Sequence, residues 1–184
     1  MADTAIPQDE QGDQALFSQF VATLKENMDS SDSNTVLVVD DAKLMRDLVS
    51  EFIVQAAPLV KVVTSEDGKD ALGKLAWIRE TTGRDPMLII TDLDMPVMDG
   101  WSFVEELRKE YRAKGADQGI PVIVLSSTDG EKRTLFRRKT VATTQRQYQP
   151  LVAVAKSTCI DPANYDAIGN KGLAAWIEYF LEKA

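Results

Sequence analysis

Carboxylates gather at the ends of two apolar runs whose acidic termini, Asp41 and Asp92, lie 51 residues apart. The first run is Val36-Leu37-Val38-Val39, followed at once by Asp40 and Asp41. The second is Leu88-Ile89-Ile90-Thr91, followed by Asp92, with Asp94 two residues further on. Apolar runs of this length and β-branching have the character of buried strands. Side by side in a parallel sheet, they would bring up to four acidic side chains into the crevice where open α/β sheets hold their ligands. Two carboxylates about 4 Å apart repel by about 4 kcal/mol at an effective dielectric of about 20. Such a cluster needs a cation, a shared proton or a functional reason to persist. The chemistry it suggests is a divalent-metal site with an aspartyl nucleophile.

Two further residues stand where a phosphoryl site would want them. Ser126 follows a third apolar run, and its hydroxyl can bond a phosphate oxygen. Lys156 follows a fourth, and its ammonium can neutralise charge on the same group. Strand alternation turns Thr91 away from Asp92, into the sheet face. An aspartate can attack a phosphoryl group to give an acyl phosphate, with the barrier lowered by positioning and charge neutralisation. Magnesium, which takes one or two carboxylates, waters and phosphate oxygens, suits this set. Each residue alone has a plainer reading. An aspartate after a strand is often a helix N-cap, as Asp41 could be, and Asp94 or Asp99 could serve turn chemistry.

The elements that must position these groups alternate. Val36–Val39 reads as a strand, and Ala42–Gln55 as a helix with Leu44, Met45, Leu48, Val49 and Phe52 facing inward. Val60–Thr64 reads as a second strand. Ser65-Glu66-Asp67-Gly68 opens a helix through about Glu80, with Ala71, Leu72, Leu75, Ala76 and Ile78 as core candidates. Met87–Thr91 is a strand, Trp101–Arg112 a helix, Ile120–Leu125 a strand and Leu151–Ala155 a fifth. This alternation implies right-handed crossovers and a parallel sheet covered on both faces. Ahead of it, Leu16, Phe17, Phe20, Val21 and Leu24 recur at helical spacing within residues 13–28, and a polar tract, residues 29–34, reads as a linker. Leu173–Leu181 reads as a closing helix.

The chain has 184 residues, 44% apolar and 27% charged, the composition of a soluble globular protein with one domain and something appended. No apolar run has the length of a membrane span and the first residues lack a signal-peptide pattern, so the cytoplasm is the expected compartment. One cysteine allows no intrachain disulfide, and the absence of histidine removes imidazole chemistry altogether. The net charge of −8 hides six basic residues, Lys132, Arg133, Arg137, Arg138, Lys139 and Arg146, set against Glu131 alone. Overall acidity argues against general nucleic-acid binding, while this segment suits an acidic partner.

The residues then resemble a family. Val38-Val39-Asp40-Asp41 with Met45-Arg46, Glu66-Asp67-Gly68-Lys69-Asp70-Ala71-Leu72, Asp92-Leu93-Asp94-Met95-Pro96-Val97-Met98-Asp99-Gly100 and Pro121–Ser127 are similar to the motifs of response-regulator receiver domains of two-component signalling. The similarity spans roughly Thr35–Lys156. It implies an α/β, flavodoxin-like doubly wound sheet of five parallel strands in the order 2-1-3-4-5, here with an extra N-terminal helix. It implies Asp92 as phosphoacceptor, and Asp40, Asp41, Asp92 and the Asp94 backbone carbonyl as ligands of Mg2+ (or Mn2+). Ser126 and Lys156 then contact the phosphoryl group. The phosphate would come from a histidine kinase or phosphotransfer protein, the signal would pass to a downstream protein still to be identified, and self-phosphorylation and dephosphorylation would be its only catalysis.

On this reading residues 1–34 form a tail, helix and linker, and residues 35–184 form the receiver, with atypical segments 129–150 and 157–172. No separate output domain or helix-turn-helix is left over, so no direct DNA binding and no membrane contact are expected. The N-terminal helix could pack on the sheet, form a homodimer or recognise a partner. Lys132, Arg133, Arg137, Arg138 and Lys139 make up a candidate partner surface. The chain departs from the family at Ser157, where proline usually follows the lysine, and at Ala153, where a switch aromatic usually stands. Those departures keep open a degenerate receiver that binds partners without phosphorylation. A haloacid-dehalogenase-type phosphatase built on Asp92 and Asp94 is a third reading, but that motif sits on a first strand and continues differently.

Overall fold

The computed structural model of the chain describes residues 34–116, 119–126 and 152–156, the stretch 152–155 by its backbone. Within them, β1 (Thr35–Val39), α1 (Lys43–Ala56), β2 (Lys61–Ser65), α2 (Gly68–Thr82), β3 (Leu88–Asp92), α3 (Gly100–Ala113), β4 (Val122–Ser126) and β5 (Val152–Ala155) follow in chain order. The strands form one sheet in the order β2-β1-β3-β4-β5. Every pairing is parallel, with Val39 opposite Thr91, Asp92 opposite Leu125 and Ser126 opposite Ala155.

The expected α/β architecture and strand order are therefore present. The strands β1, β3 and β4 are buried along their whole length, as their unbroken β-branched runs require of a parallel sheet covered on both faces. On one face Leu37, Val39, Ile89, Val122 and Val124 pack against Ala71, Leu75 and Ile78 of α2 and Phe103, Val104 and Leu107 of α3. Alternation turns Val36, Val38, Ile90, Ile123 and Leu125, all buried, to the other face. Each such side chain contributes about 1.5–3 kcal/mol over its exposed state.

Helix ends follow local chemistry. Asp67 caps α2 by accepting from the Lys69 and Asp70 amides at 2.7 and 2.9 Å, and Gly83 ends it at φ 71°. Asp99 caps α3 through the Ser102 amide at 2.7 Å, so the turn-chemistry reading holds for Asp99. Asp41 is not a cap: Ala42 occupies that position in α1, without a side-chain bond.

Two core expectations fail. Leu44 is 78% exposed and Ala76 is exposed. The buried seam of α1 runs Met45, Val49, Ile53, and the stripe one residue behind it, Leu44, Leu48 and Phe52, is half-buried at Leu48 and Phe52 but open to solvent at Leu44, in the first turn of the helix. In α2 the seam through Ala71, Leu75 and Ile78 likewise leaves Ala76 on the solvent side. Elsewhere boundaries move by one to three residues. The N-terminal amphipathic stretch and linker, the 129–150 and 157–172 segments and the closing stretch Leu173–Leu181 lie outside the described residues.

Candidate metal and phosphoryl site

The register of the sheet assembles the crevice. The Asp40 amide donates to the Ser65 carbonyl at 3.1 Å, extending the β1–β2 ladder by one residue. The Lys156 amide donates to the Ser126 carbonyl at 2.9 Å and does the same for β4 and β5. With β1 and β3 adjacent, Asp40, Asp41 and Asp92 meet at one point. One carboxylate oxygen from each lies within 4.8 Å of the other two. Asp40 and Asp92 are buried at 0% and 2% exposure, and Asp41 is exposed, so the cluster opens to solvent on the Asp41 side.

Lys156 binds the two buried acids together. Its Nζ lies 2.8 Å from Asp40 Oδ2 and 2.9 Å from Asp92 Oδ2. The other Asp40 oxygen accepts from the Ala42 amide at 2.9 Å. Asp92 Oδ1 is buried with no hydrogen-bond partner, and Asp40 Oδ2 meets the ammonium by charge, outside aligned hydrogen-bond geometry. Burial raises the Asp92 pKa above the ordinary carboxylate value, with Asp40 adding to the rise and Lys156 opposing it. Burial would lower the Lys156 pKa, but the contacts of its ammonium with the Asp40 and Asp92 carboxylates outweigh it and the net shift is upward. Three carboxylates against one ammonium leave negative charge uncompensated. The all-oxygen donor set and its uncompensated negative charge fit a hard divalent cation such as Mg2+.

Ser126 is buried one residue past Leu125, the partner of Asp92 in the ladder. Asp94 is exposed in the loop after β3. Thr91 points away from the crevice as expected, buried, with its hydroxyl donating to the Asp92 carbonyl at 3.0 Å. Ala153 stands opposite Val124 in the β4–β5 ladder. The Lys156–Ser157 peptide and Lys132, Arg133, Arg137, Arg138 and Lys139 lie outside the described residues.

Three contributions escaped the sequence reading. Arg46, part of a quoted motif but given no role, donates through Nη1 to the Asp40 and Asp41 carbonyls at 2.6 and 3.1 Å. A Cβ at Gly100 would overlap the Asp92 carbonyl oxygen, so only glycine lets α3 begin directly behind Asp92. Val97 has φ 64°, with the Met98 amide bonded to the Pro96 carbonyl at 2.7 Å, a three-residue γ-turn in the loop after Asp92. The Asp99-Gly100 pair was a legible signal for the second. The first depends on where a long side chain folds back, and the third on a positive φ at a β-branched residue, which residue type disfavours.

A match to the response regulator receiver domain family spans residues 36–142. Among curated proteins, a protein-glutamate methylesterase/protein-glutamine glutaminase of Geobacillus kaustophilus is 36% identical over 96 residues, 52% of this chain and 24% of its own length. A protein of the same name from Nocardioides is 37% identical over 135 residues, 73% of this chain and 30% of its own. The chain thus spans under a third of these relatives. The crystal structure of the receiver domain of a histidine kinase from Arabidopsis thaliana is 26% identical at a TM-score of 0.51, covering 70% of this chain and 87% of that one. Among the described residues no helix is long and apolar enough to cross a membrane. An acid pair, a central aspartate and a lysine at the ends of a 2-1-3-4-5 sheet agree with that match, and the chain belongs to the response regulator receiver domain family.

Proposed function

We propose that Asp92 accepts a phosphoryl group from a histidine kinase or phosphotransfer protein, in a step that needs a divalent cation. The observation that carries this is the division of labour on one carboxylate: Oδ2 is held by Lys156 while Oδ1 is buried and unpartnered. Oδ1 attacks phosphorus, a P–O bond forms, and the bond from phosphorus to the donor atom breaks with its electron pair returning to the donor. The Asp92 side chain reacts ionised, and Lys156 stabilises that form against the burial that opposes it. Lys156 also neutralises charge on the incoming phosphoryl oxygens, and the Ser126 hydroxyl orients one of them. Asp40, Asp41, Asp92 and the Asp94 carbonyl would hold Mg2+ (or Mn2+), whose chemistry there would be to screen charge on the transferred group.

The receiver unit is residues 35–184, with residues 1–34 as an appendage, in a cytoplasmic protein. Phosphorylation changes affinity for a partner, and the methylesterase relatives suggest an effector of that kind as one such partner. Intact mass of the protein after incubation with a small acyl phosphate and Mg2+ tests the central step. A gain of one phosphoryl group is expected in wild type, none in Asp92→Asn and none when EDTA replaces the metal. An equal gain in Asp92→Asn would move the acceptor elsewhere and sink the assignment.

A further inference from the structure

The exposed member of the acid cluster has little to hold it. Asp41 must lie within ligand reach of Asp40 and Asp92, yet among the described residues no side chain bonds its carboxylate. The direction of its Cα–Cβ bond, from which the carboxylate reaches the cluster, is set by its own backbone. The Asp40 carbonyl belongs to the peptide before the Asp41 Cα and the Asp41 carbonyl to the peptide after it. Arg46 Nη1 donates to both, at 2.6 and 3.1 Å. One donor bonded to both flanking carbonyls restrains φ and ψ of Asp41 jointly. Arg46 is itself held in α1, five residues on, where its own carbonyl accepts from the Ser50 hydroxyl at 2.6 Å. A second restraint spans the same residue, the Ala42 amide donating to Asp40 Oδ1 at 2.9 Å, while the cap residue Ala42 has no side chain that could hold Asp41.

We propose that Arg46 is a positioning residue of the cation site: by clasping the Asp40 and Asp41 carbonyls it presents the Asp41 carboxylate to a divalent cation before the cation arrives. This rests on the cation reading given above. The sign of the effect separates it from simple electrostatics. A guanidinium near a cation site repels the cation, so charge alone would make binding tighter when Arg46 is neutralised. Lost positioning makes it weaker, and removing partners that orient metal ligands ordinarily costs about 10- to 100-fold in affinity.

The test is a Mn2+ titration of the full chain, with free ion read by electron paramagnetic resonance. Wild type, Arg46→Gln, Arg46→Lys, Asp41→Asn and the Arg46→Gln/Asp41→Asn double variant are compared. Binding weakens about 10- to 100-fold in Arg46→Gln and is partly restored in Arg46→Lys, which keeps a charged donor. The double variant is no weaker than Asp41→Asn, because Arg46 acts through Asp41. Unchanged or tighter binding in Arg46→Gln overturns the proposal, as do losses that multiply independently in the double variant. Should circular dichroism show Arg46→Gln unfolded, the same cycle run with Arg46→Lys decides. A wild-type protein with no stoichiometric Mn2+ site would bring down the cation reading itself, an outcome distinct from a wild-type site that Arg46→Gln leaves intact.

Discussion

At the scale of single residues, Asp92 carries a conflict between stability and use. Burial, with help from Asp40, raises its pKa above the ordinary carboxylate value of 3.8 despite Lys156. The folded protein therefore holds this proton more tightly than the unfolded chain does. The stability that the neutral form contributes is present below 3.8 and is lost as pH rises through the higher folded value. In metal-free buffer the urea midpoint of wild type should consequently fall, relative to Asp92→Asn, as pH rises from about 4 toward neutrality. At pH 7 the variant should be the more stable of the two. A wild type that gains on Asp92→Asn over this window would show that Lys156 outweighs burial. The crevice is thus kept charged at some cost to the fold, as sites built for reaction often are.

At the scale of elements, the two ends of the sheet are built differently. The carboxyl end gathers the acidic groups at strand ends and in the loops that follow, and the loop after β3 contains the γ-turn at Val97, whose positive φ costs a β-branched residue about 1–3 kcal/mol. Gly68 donates its amide to the Met98 carbonyl at 2.9 Å and is packed so tightly that a Cβ would lie 2.7 Å from Met98 Cγ. The start of α2 is thereby joined to the loop that follows Asp92. The opposite end is a clamp. Arg79 of α2 pairs with Asp85 at 2.5 Å and with Glu110 of α3 at 2.9 Å, and the Tyr111 hydroxyl donates to Asp85 at 2.8 Å. Burial raises the Tyr111 pKa, with the Asp85 bond adding to it, and keeps the hydroxyl protonated as a donor. Tyr111→Phe should cost about 1 kcal/mol, the net worth of one such bond, read as a lower urea midpoint. Mn2+ affinity should not change, because the clamp lies at the far end of the strands from the carboxylates. A change in affinity would mean that the two ends communicate.

For the molecule as a whole, the uncompensated charge of the crevice links folding to cation concentration. A cation held by Asp40, Asp41 and Asp92 binds only when β1 and β3 are paired, since Asp40 and Asp41 precede Asp92 by 52 and 51 residues in the chain. It should therefore stabilise the fold by mass action, about 2.7 kcal/mol at a hundred times its dissociation constant. Thermal melting in a Mg2+ series should show a rising midpoint that EDTA reverses, with the rise much reduced in Asp92→Asn. An equal rise in wild type and variant would place the cation elsewhere on this acidic chain.

What the sequence by itself determined was whatever is local and repetitive. Unbroken β-branched runs demanded buried parallel strands, their alternation with helices demanded crossovers, and carboxylates at the strand ends had to share a crevice. Asp40, Asp41, Asp92, Ser126 and Lys156 were legible because each abuts a strand whose direction is known once the sheet is parallel. The tertiary structure alone decided what depends on how elements rotate and approach one another. It turned Leu44 and Ala76 to solvent, because helical periodicity leaves flanking positions ambiguous until a packing seam is chosen. It joined Lys156 to Asp40 and Asp92 together, set Gly100 against the Asp92 carbonyl and gave Arg46 its two carbonyls. Contacts of this kind are made across space, by groups whose distance in the chain says nothing of their distance in the fold.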